Sequence, residues 1–153
     1  MPNKHKWHIL VLPEDDATKQ LGNGLARAFP AVENRVQVLR EARGWEHAMD
    51  MIPSLDLKKY VQRRVLLIID FDKDGNRLDF IKSKPFVVPF SDRIYVIGCF
   101  DEAERLKNLV GENNLERVGE RLGTDCNYWS SPLLANCKSD ACRLKNEIQN
   151  IND

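Results

Sequence analysis

The sequence predicts an α/β fold: a mostly parallel four-stranded sheet with helices on both faces and a helical C-terminal extension. Three observations support this prediction. Short apolar runs alternate with segments of helical periodicity over residues 7–111. Two of the runs, 64–70 and 93–100, are almost continuously apolar, which is typical of strands covered on both faces. Residues 112–153 show only helical periodicity.

The other two strands are shorter or less apolar. Residues 7–12, "WHILVL", form a compact apolar run, and residues 35–42, "RVQVLREA", alternate between apolar and polar positions. Right-handed crossovers between successive parallel strands would place helices on both faces of the sheet. Because parallel strands end at one edge, we expect ligands to bind beyond their carboxyl ends.

Helical periodicity predicts the segments between the strands. Residues 17–29 place Leu21 and Leu25 on one face, while Gly22 and Gly24 mark either close packing or an irregular turn. Further helices are predicted at 44–52, 55–62, 101–111 and 114–123. The helix over 101–111 is expected to begin with a capping box formed by Asp101 and Glu104, and to end at Gly111.

The chain is predicted to form a single domain over 1–153, with a core of about 1–111 and a helical extension over 112–153. An apolar stripe runs through the extension, and it consists of Leu134, Cys137, Ala141, Leu144, Ile148 and Ile151. We expect this stripe to lie on the domain's own core, which gives Cys137 a structural role. A homo-oligomer or a protein partner contacting the C-terminal helix is the alternative.

Composition narrows the class of protein. The chain has 153 residues, of which 42% are hydrophobic and 30% charged, as in ordinary globular proteins. It contains no run long enough to span a bilayer and no signal-peptide core, so we expect a cytoplasmic protein without membrane association. Its net charge of zero argues against tight, non-specific nucleic-acid binding. The cysteines lack the paired Cys-x-x-Cys spacing that is typical of zinc sites.

Acidic residues follow two predicted strands that would be neighbours in the sheet. Glu14 comes after the first strand, and Asp70 and Asp72 come after the third. Residues two apart on a strand point the same way, so Asp70 and Asp72 are expected to face Glu14, with Phe71 turned into the core. Three crowded carboxylates repel unless a cation neutralises them, and hard oxygen ligands favour magnesium, manganese or calcium over zinc.

Three other interpretations apply to parts of these two acidic segments. Asp70, Asp72 and Asp74 match the first half of a calcium-binding loop, but Ile81 replaces its final glutamate and a strand replaces the preceding helix. Residues 74–76 are better explained as a turn. Asp15 or Asp16 is better explained as the cap of the first helix.

The pattern resembles the Toprim fold, a family with a glutamate after its first strand and an Asp-x-Asp after its third. Here these residues are Glu14 and residues 70–72, within "PED" and "LLIIDFD", a combination similar to that of small bacterial proteins. The resemblance covers about the first hundred residues. Asp15 stands where the family usually has a glycine, which argues against a topoisomerase- or primase-like role and leaves the nuclease-like branch open.

The resemblance implies a function for these residues. Asp70 and Asp72 would hold Mg²⁺ or Mn²⁺, and Glu14 would act as a general acid/base or as a further ligand, in phosphodiester hydrolysis or transfer on nucleic acid. Arg40 and Arg43 follow the second strand and are candidate phosphate-binding residues.

Other charged residues are predicted near this edge. Lys73 and Arg77 flank the acidic loop, and Glu102 is a candidate ligand for a second metal ion. The alternative function is a non-enzymatic module that binds a cation or a partner, including as a subunit of a larger assembly.

Overall fold

Four parallel strands form one sheet in the computed structural model, which describes residues 2–134 and 137–151. They are β1 (His8–Pro13), β2 (Val36–Val38), β3 (Arg63–Ile68) and β4 (Ile94–Ile97). Their order is β2-β1-β3-β4 and every neighbouring pair is parallel, which confirms the predicted fold class. β1 and β3 lie side by side with Pro13 opposite Ile68, so their carboxyl ends meet at one edge.

Helices connect and cover the strands. The α-helices are α1 (Asp16–Arg27), α2 (Trp45–Asp50), α3 (Arg77–Lys82), α4 (Leu106–Val110), α5 (Leu115–Thr124) and α6 (Lys138–Gln149). Short 3₁₀ helices occupy Pro30–Arg35, Ile52–Leu55, Val88–Phe90, Ala103–Arg105 and Cys126–Ser130. Throughout the described ranges, each helix is too short or too polar to cross a lipid bilayer.

Both faces of the sheet are buried. Val11 and Leu66 point to the face on which α1 and α6 lie, and Leu12 and Leu67, which point the other way, are fully buried as well. Leu144 of α6 belongs to the same core, which confirms that the C-terminal stripe packs on the domain itself. The remaining described residues of the stripe are buried or partly buried: Leu134, Cys137, Ala141, Ile148 and Ile151.

α1 and α5 cross in close backbone contact. A methyl group added at Gly24 would overlap the carbonyl oxygen of Glu116, and one added at Gly119 would overlap that of Leu21. Of the two explanations for the glycines of α1, close packing is therefore the correct one. The crossing ties α5, part of the predicted extension, to the helix that follows β1.

The helix predicted over 55–62 does not form, and the chain turns there instead. Asp56 takes a left-handed conformation with φ of 56° and ends the preceding 3₁₀ helix. The Arg93 guanidinium then donates hydrogen bonds to the carbonyls of Leu57 (2.8 Å) and Tyr60 (3.1 Å). A residue distant in sequence thus satisfies backbone oxygens that a helix would have used.

The helix predicted to begin at Asp101 also differs. A 3₁₀ turn precedes α4, and its N-cap, Glu102, makes no capping hydrogen bond through its side chain. Asp101 pairs instead with Arg105 at 3.0 Å, so the predicted capping box is wrong. The predicted end is confirmed, because Gly111 closes α4 in the left-handed conformation with φ of 72°.

Candidate metal site

Glu14 and Asp70 meet at the carboxyl edge of the sheet, as the sequence predicted. The backbone N–H of Glu14 donates to the Ile68 carbonyl (3.0 Å), which continues the pairing of β1 with β3 by one residue. The Glu14 carboxylate in turn accepts a hydrogen bond from the backbone N–H of Asp70 at 2.8 Å. Glu14 is 9% exposed, so a carboxylate is held inside the protein at the point where the two strands end.

Asp15 completes a group of three carboxylates. Glu14, Asp15 and Asp70 each offer one oxygen, and these oxygens all lie within 4.8 Å of one another. Asp15 is also the N-cap of α1, as predicted: its Oδ1 accepts from the backbone N–H of Thr18 at 2.9 Å. Capping and metal binding are therefore not exclusive for Asp15, because the carboxylate that caps α1 also belongs to the group that could hold a metal ion.

Asp72 lies outside this group of three. β3 ends at Ile68, and Asp72 has a left-handed backbone with φ of 49°, so the strand alternation assumed for residues 70–72 does not apply. Its carboxylate accepts a hydrogen bond from Arg77 at 3.0 Å. The assignment of Asp72 as a metal ligand stays a prediction, now weakened by this contact, whereas its neighbour Phe71 is fully buried as expected.

Asp70 is held from three sides. Its Oδ1 accepts from the backbone N–H of Ala103 (2.9 Å), and its carbonyl accepts from Arg77 (2.8 Å), while its own N–H binds Glu14. Burial, reinforced by the negative charges of Asp15 and Glu14, raises the pKa of Asp70 to about 7. Burial also raises the pKa of Glu14, although the Asp70 N–H opposes that shift.

Arg77 joins the acidic loop to α2. Its guanidinium carbon lies 4.5 Å from the centre of the Trp45 ring, and its side chain is only 11% exposed. The sequence placed Arg77 beside the loop but did not single out Trp45. The signal was present, since Trp45 follows the second strand and the carboxyl ends of parallel strands share an edge.

The loop that carries Arg40 and Arg43 runs beside the end of β1. The backbone N–H of Ala42 donates to Pro13 and that of Gly44 donates to Glu14, both at 3.0 Å. The loop thus reaches the predicted edge, and both arginine side chains are exposed. Their role in phosphate binding stays a prediction.

The other acidic candidates lie apart from the three carboxylates. Asp74 accepts from the backbone N–H of Asn76 at 2.9 Å, which confirms the predicted turn. Glu102 is exposed at the start of a 3₁₀ helix. Within residues 2–134 and 137–151, neither Asp74 nor Glu102 belongs to a potential metal-binding group, so the arrangement does not resemble a calcium loop.

The metal-free protein is expected to lose stability as pH rises from about 4 to 7. In this window the folded state keeps a proton on Asp70, whose pKa is about 7, whereas the unfolded chain has released it, so folding takes up a proton. Because the carboxylate is partly open to water, which screens its charge, we expect the free energy of unfolding to fall by only about 1–2 kcal/mol.

Urea unfolding in a chelator, at several pH values, would measure this effect in the wild type and in Asp70→Asn. The variant should show a flatter dependence on pH. His8, whose pKa is lowered by burial, contributes the opposite slope below its ordinary range, but it does so equally in both proteins. Identical pH profiles for the two proteins would contradict the prediction.

Comparison with known proteins identifies no relative of this chain. No protein-family model matches the chain, and no curated protein or solved structure is significantly similar to it. The resemblance to the Toprim fold therefore depends on Glu14 and on residues 70–72, in the setting of the parallel sheet.

Proposed function

We propose that the carboxylates of Glu14, Asp15 and Asp70 bind Mg²⁺ or Mn²⁺ for phosphodiester hydrolysis or transfer on nucleic acid. The observation that carries the proposal is the convergence of their three oxygens within 4.8 Å at the carboxyl ends of β1 and β3. This is the edge at which open parallel sheets bind ligands. The proposed hydrolysis or transfer is the reaction that the resemblance of residues 14 and 70–72 to the Toprim motifs implies.

The residues present suit a hard divalent cation. All three side chains offer carboxylate oxygens, the ligands that magnesium and manganese prefer. Burial and, after it, the charges of neighbouring carboxylates raise the pKa values of Asp70 and Glu14, and a bound cation would relieve the repulsion between these carboxylates. When bound, such an ion would neutralise a phosphate oxygen and lower the pKa of a coordinated water.

The remaining chemistry belongs to side chains of the chain itself. Glu14 would be either a ligand or, if Asp15 and Asp70 hold the ion, the general acid/base, a role for which burial raises its pKa. Arg77 holds the loop by its bonds to the Asp70 carbonyl and the Asp72 carboxylate, and so positions Asp70. Arg43, exposed beside the end of β1, is available to a phosphate.

A non-enzymatic cation-binding module is the second candidate function. Each of the three carboxylates already accepts a hydrogen bond from a backbone N–H of this chain: from Thr18 to Asp15, from Asp70 to Glu14 and from Ala103 to Asp70. These contacts connect β1, α1 and the segment after β4. A cation bound here would therefore strengthen the fold even if no substrate were processed.

Thermal melting with each metal, paired with cleavage assays, tests the proposal. Wild-type protein should be stabilised by Mg²⁺ or Mn²⁺, by about 2–3 kcal/mol when the ion is at about one hundred times its Kd. Asp70→Asn should remove the response and the cleavage. Glu14→Gln should abolish cleavage and weaken the response. Asp74→Asn is the matched control, because it keeps the turn and lies outside the group of three.

Each outcome of this series separates the candidates. A wild type without any metal-dependent shift would reject the site. A shift without cleavage of single- or double-stranded nucleic acid would favour the non-enzymatic module. Stabilisation by calcium alone, lost in Asp74→Ala, would instead identify residues 70–75 as a calcium loop.

A further inference from the structure

An aromatic pair lies at the surface beside the candidate metal site. Phe80 of α3 is 45% exposed, which is unusual for so large an apolar side chain. Its ring meets that of Trp45 edge to face, with centroids 5.9 Å apart and an angle of 78° between the planes. We refer to Trp45 and Phe80 together as the aromatic platform.

The aromatic platform is connected to the metal site by direct contacts. Arg77 stacks on Trp45 at 4.5 Å and donates to the carbonyl of Asp70 at 2.8 Å. The residue before Trp45, Gly44, donates its backbone N–H to the carbonyl of Glu14 at 3.0 Å. The aromatic platform therefore lies at the same edge of the sheet as the three carboxylates.

One cationic side chain contacts the aromatic platform, and a second is near it in the sequence. The Lys84 amino group lies 4.2 Å from the centre of the Phe80 ring, and Arg43, two residues before Trp45, is exposed. A complementary ligand must offer a flat ring and a negative charge in one unit. A nucleotide does so, because its base can stack on an aromatic ring while its phosphate meets a lysine or arginine.

We propose that the aromatic platform binds an unpaired base of a single-stranded nucleic acid whose phosphodiester lies at the metal site. This inference rests on the proposed function and names its substrate class. The bases of a duplex are already stacked on one another, so their faces cannot stack on Phe80. The bases of a single strand can do so. Any base can stack on an aromatic ring, so we expect the platform to prefer single strands over duplexes without preferring a sequence.

The overall charge of the protein agrees with binding through stacking. The net charge is zero, and the exposed carboxylates of Glu46 and Asp79 on α2 and α3 partly offset the cations around the platform. Non-specific attraction to phosphates is therefore weak. The affinity for a single strand must come mainly from the rings, so it should depend on Phe80 more than on any one lysine.

The test is fluorescence anisotropy with a labelled oligothymidylate of about 12 nucleotides, in a chelator so that metal-dependent contacts are absent. Phe80→Leu, which keeps an apolar side chain but loses the ring, should bind about tenfold more weakly than wild type. Phe80→Tyr should bind as wild type does. Val61→Ala is the matched control, since Val61 is 66% exposed and precedes β3, at the opposite end of the sheet.

Two further probes isolate the role of the base. An oligonucleotide of the same length without bases should bind wild type and Phe80→Leu equally weakly, because it keeps the phosphates and loses the rings. A duplex of the same sequence should bind less tightly than the single strand. Equal affinities of wild type and Phe80→Leu for oligothymidylate, or preference for the duplex or the abasic strand, would overturn the inference.

The outcomes for this inference and for the proposed function are distinguishable. If Asp70→Asn loses metal-dependent cleavage while Phe80→Leu binds the single strand normally in chelator, the metal site stands and the platform inference fails. If Phe80→Leu loses binding while the wild type shows neither a metal shift nor cleavage, the platform stands and the hydrolytic function fails.

Discussion

Replacing Gly24 with alanine is expected to destabilise the protein by about 3 kcal/mol or more, or to prevent folding. The added methyl group would overlap the Glu116 carbonyl oxygen and lie 2.8 Å from the backbone nitrogen of Glu120. Both obstacles are backbone atoms of α5, so no rotamer change can relieve them and the helices must separate. Helix propensity alone predicts the opposite sign, since alanine is favoured over glycine by about 1 kcal/mol.

Chemical unfolding of Gly24→Ala beside two other glycine variants would measure this effect. Gly22→Ala should cost less, because its nearest neighbour is a side-chain methyl group of Val11 at 3.1 Å, a looser contact than the backbone atoms that face Gly24. Gly75→Ala should be nearly neutral, because nothing lies within 4 Å of the added atom. A Gly24→Ala protein as stable as the wild type would show that α1 and α5 do not cross as described.

Replacing Asp140 with alanine is expected to cost about 3 kcal/mol. This carboxylate is 2% exposed and accepts hydrogen bonds from the backbone N–H of Val96 and from Lys82, both at 2.8 Å. Val96 lies on β4, at the edge of the sheet, so its N–H has no partner strand. The variant would leave a buried donor unsatisfied and remove the counter-charge of Lys82 and Arg143.

Asp140→Asn separates the two contributions to this loss. It keeps an oxygen for the Val96 N–H but removes the negative charge, and we expect it to be less destabilising than Asp140→Ala. Equilibrium unfolding would give both values, and light scattering would report self-association of the uncovered strand. Losses below about 0.5 kcal/mol in both variants would contradict the role of Asp140 as the cover of this edge.

β1, β3 and β4 could be predicted from the sequence, because a strand that is buried on both faces is almost continuously apolar and this pattern lies within the run itself. Two of the three carboxylates of the site could be predicted for a similar reason. Glu14 and Asp70 directly follow β1 and the buried extension of β3, so parallel pairing alone brings them together.

The rest of the site depends on contacts between distant residues. Asp72 departs from the predicted direction because the chain leaves the strand after Ile68, where Asp101 accepts from its backbone N–H and Arg77 binds its carboxylate. The turn over 55–62 depends in the same way on Arg93. Periodicity carries no information about such partners, whereas it does report which side of an element is buried.

The strand order also determines how the chain reaches its native state. No two neighbouring strands of the sheet can pair through a hairpin, because all are parallel and each pair is separated by at least one helix or crossover. The central pair joins residues as distant in sequence as Leu10 and Val65. Loop closure therefore precedes most of the stabilising contacts, and we expect refolding in milliseconds to seconds, slower than that of a helical bundle of this length.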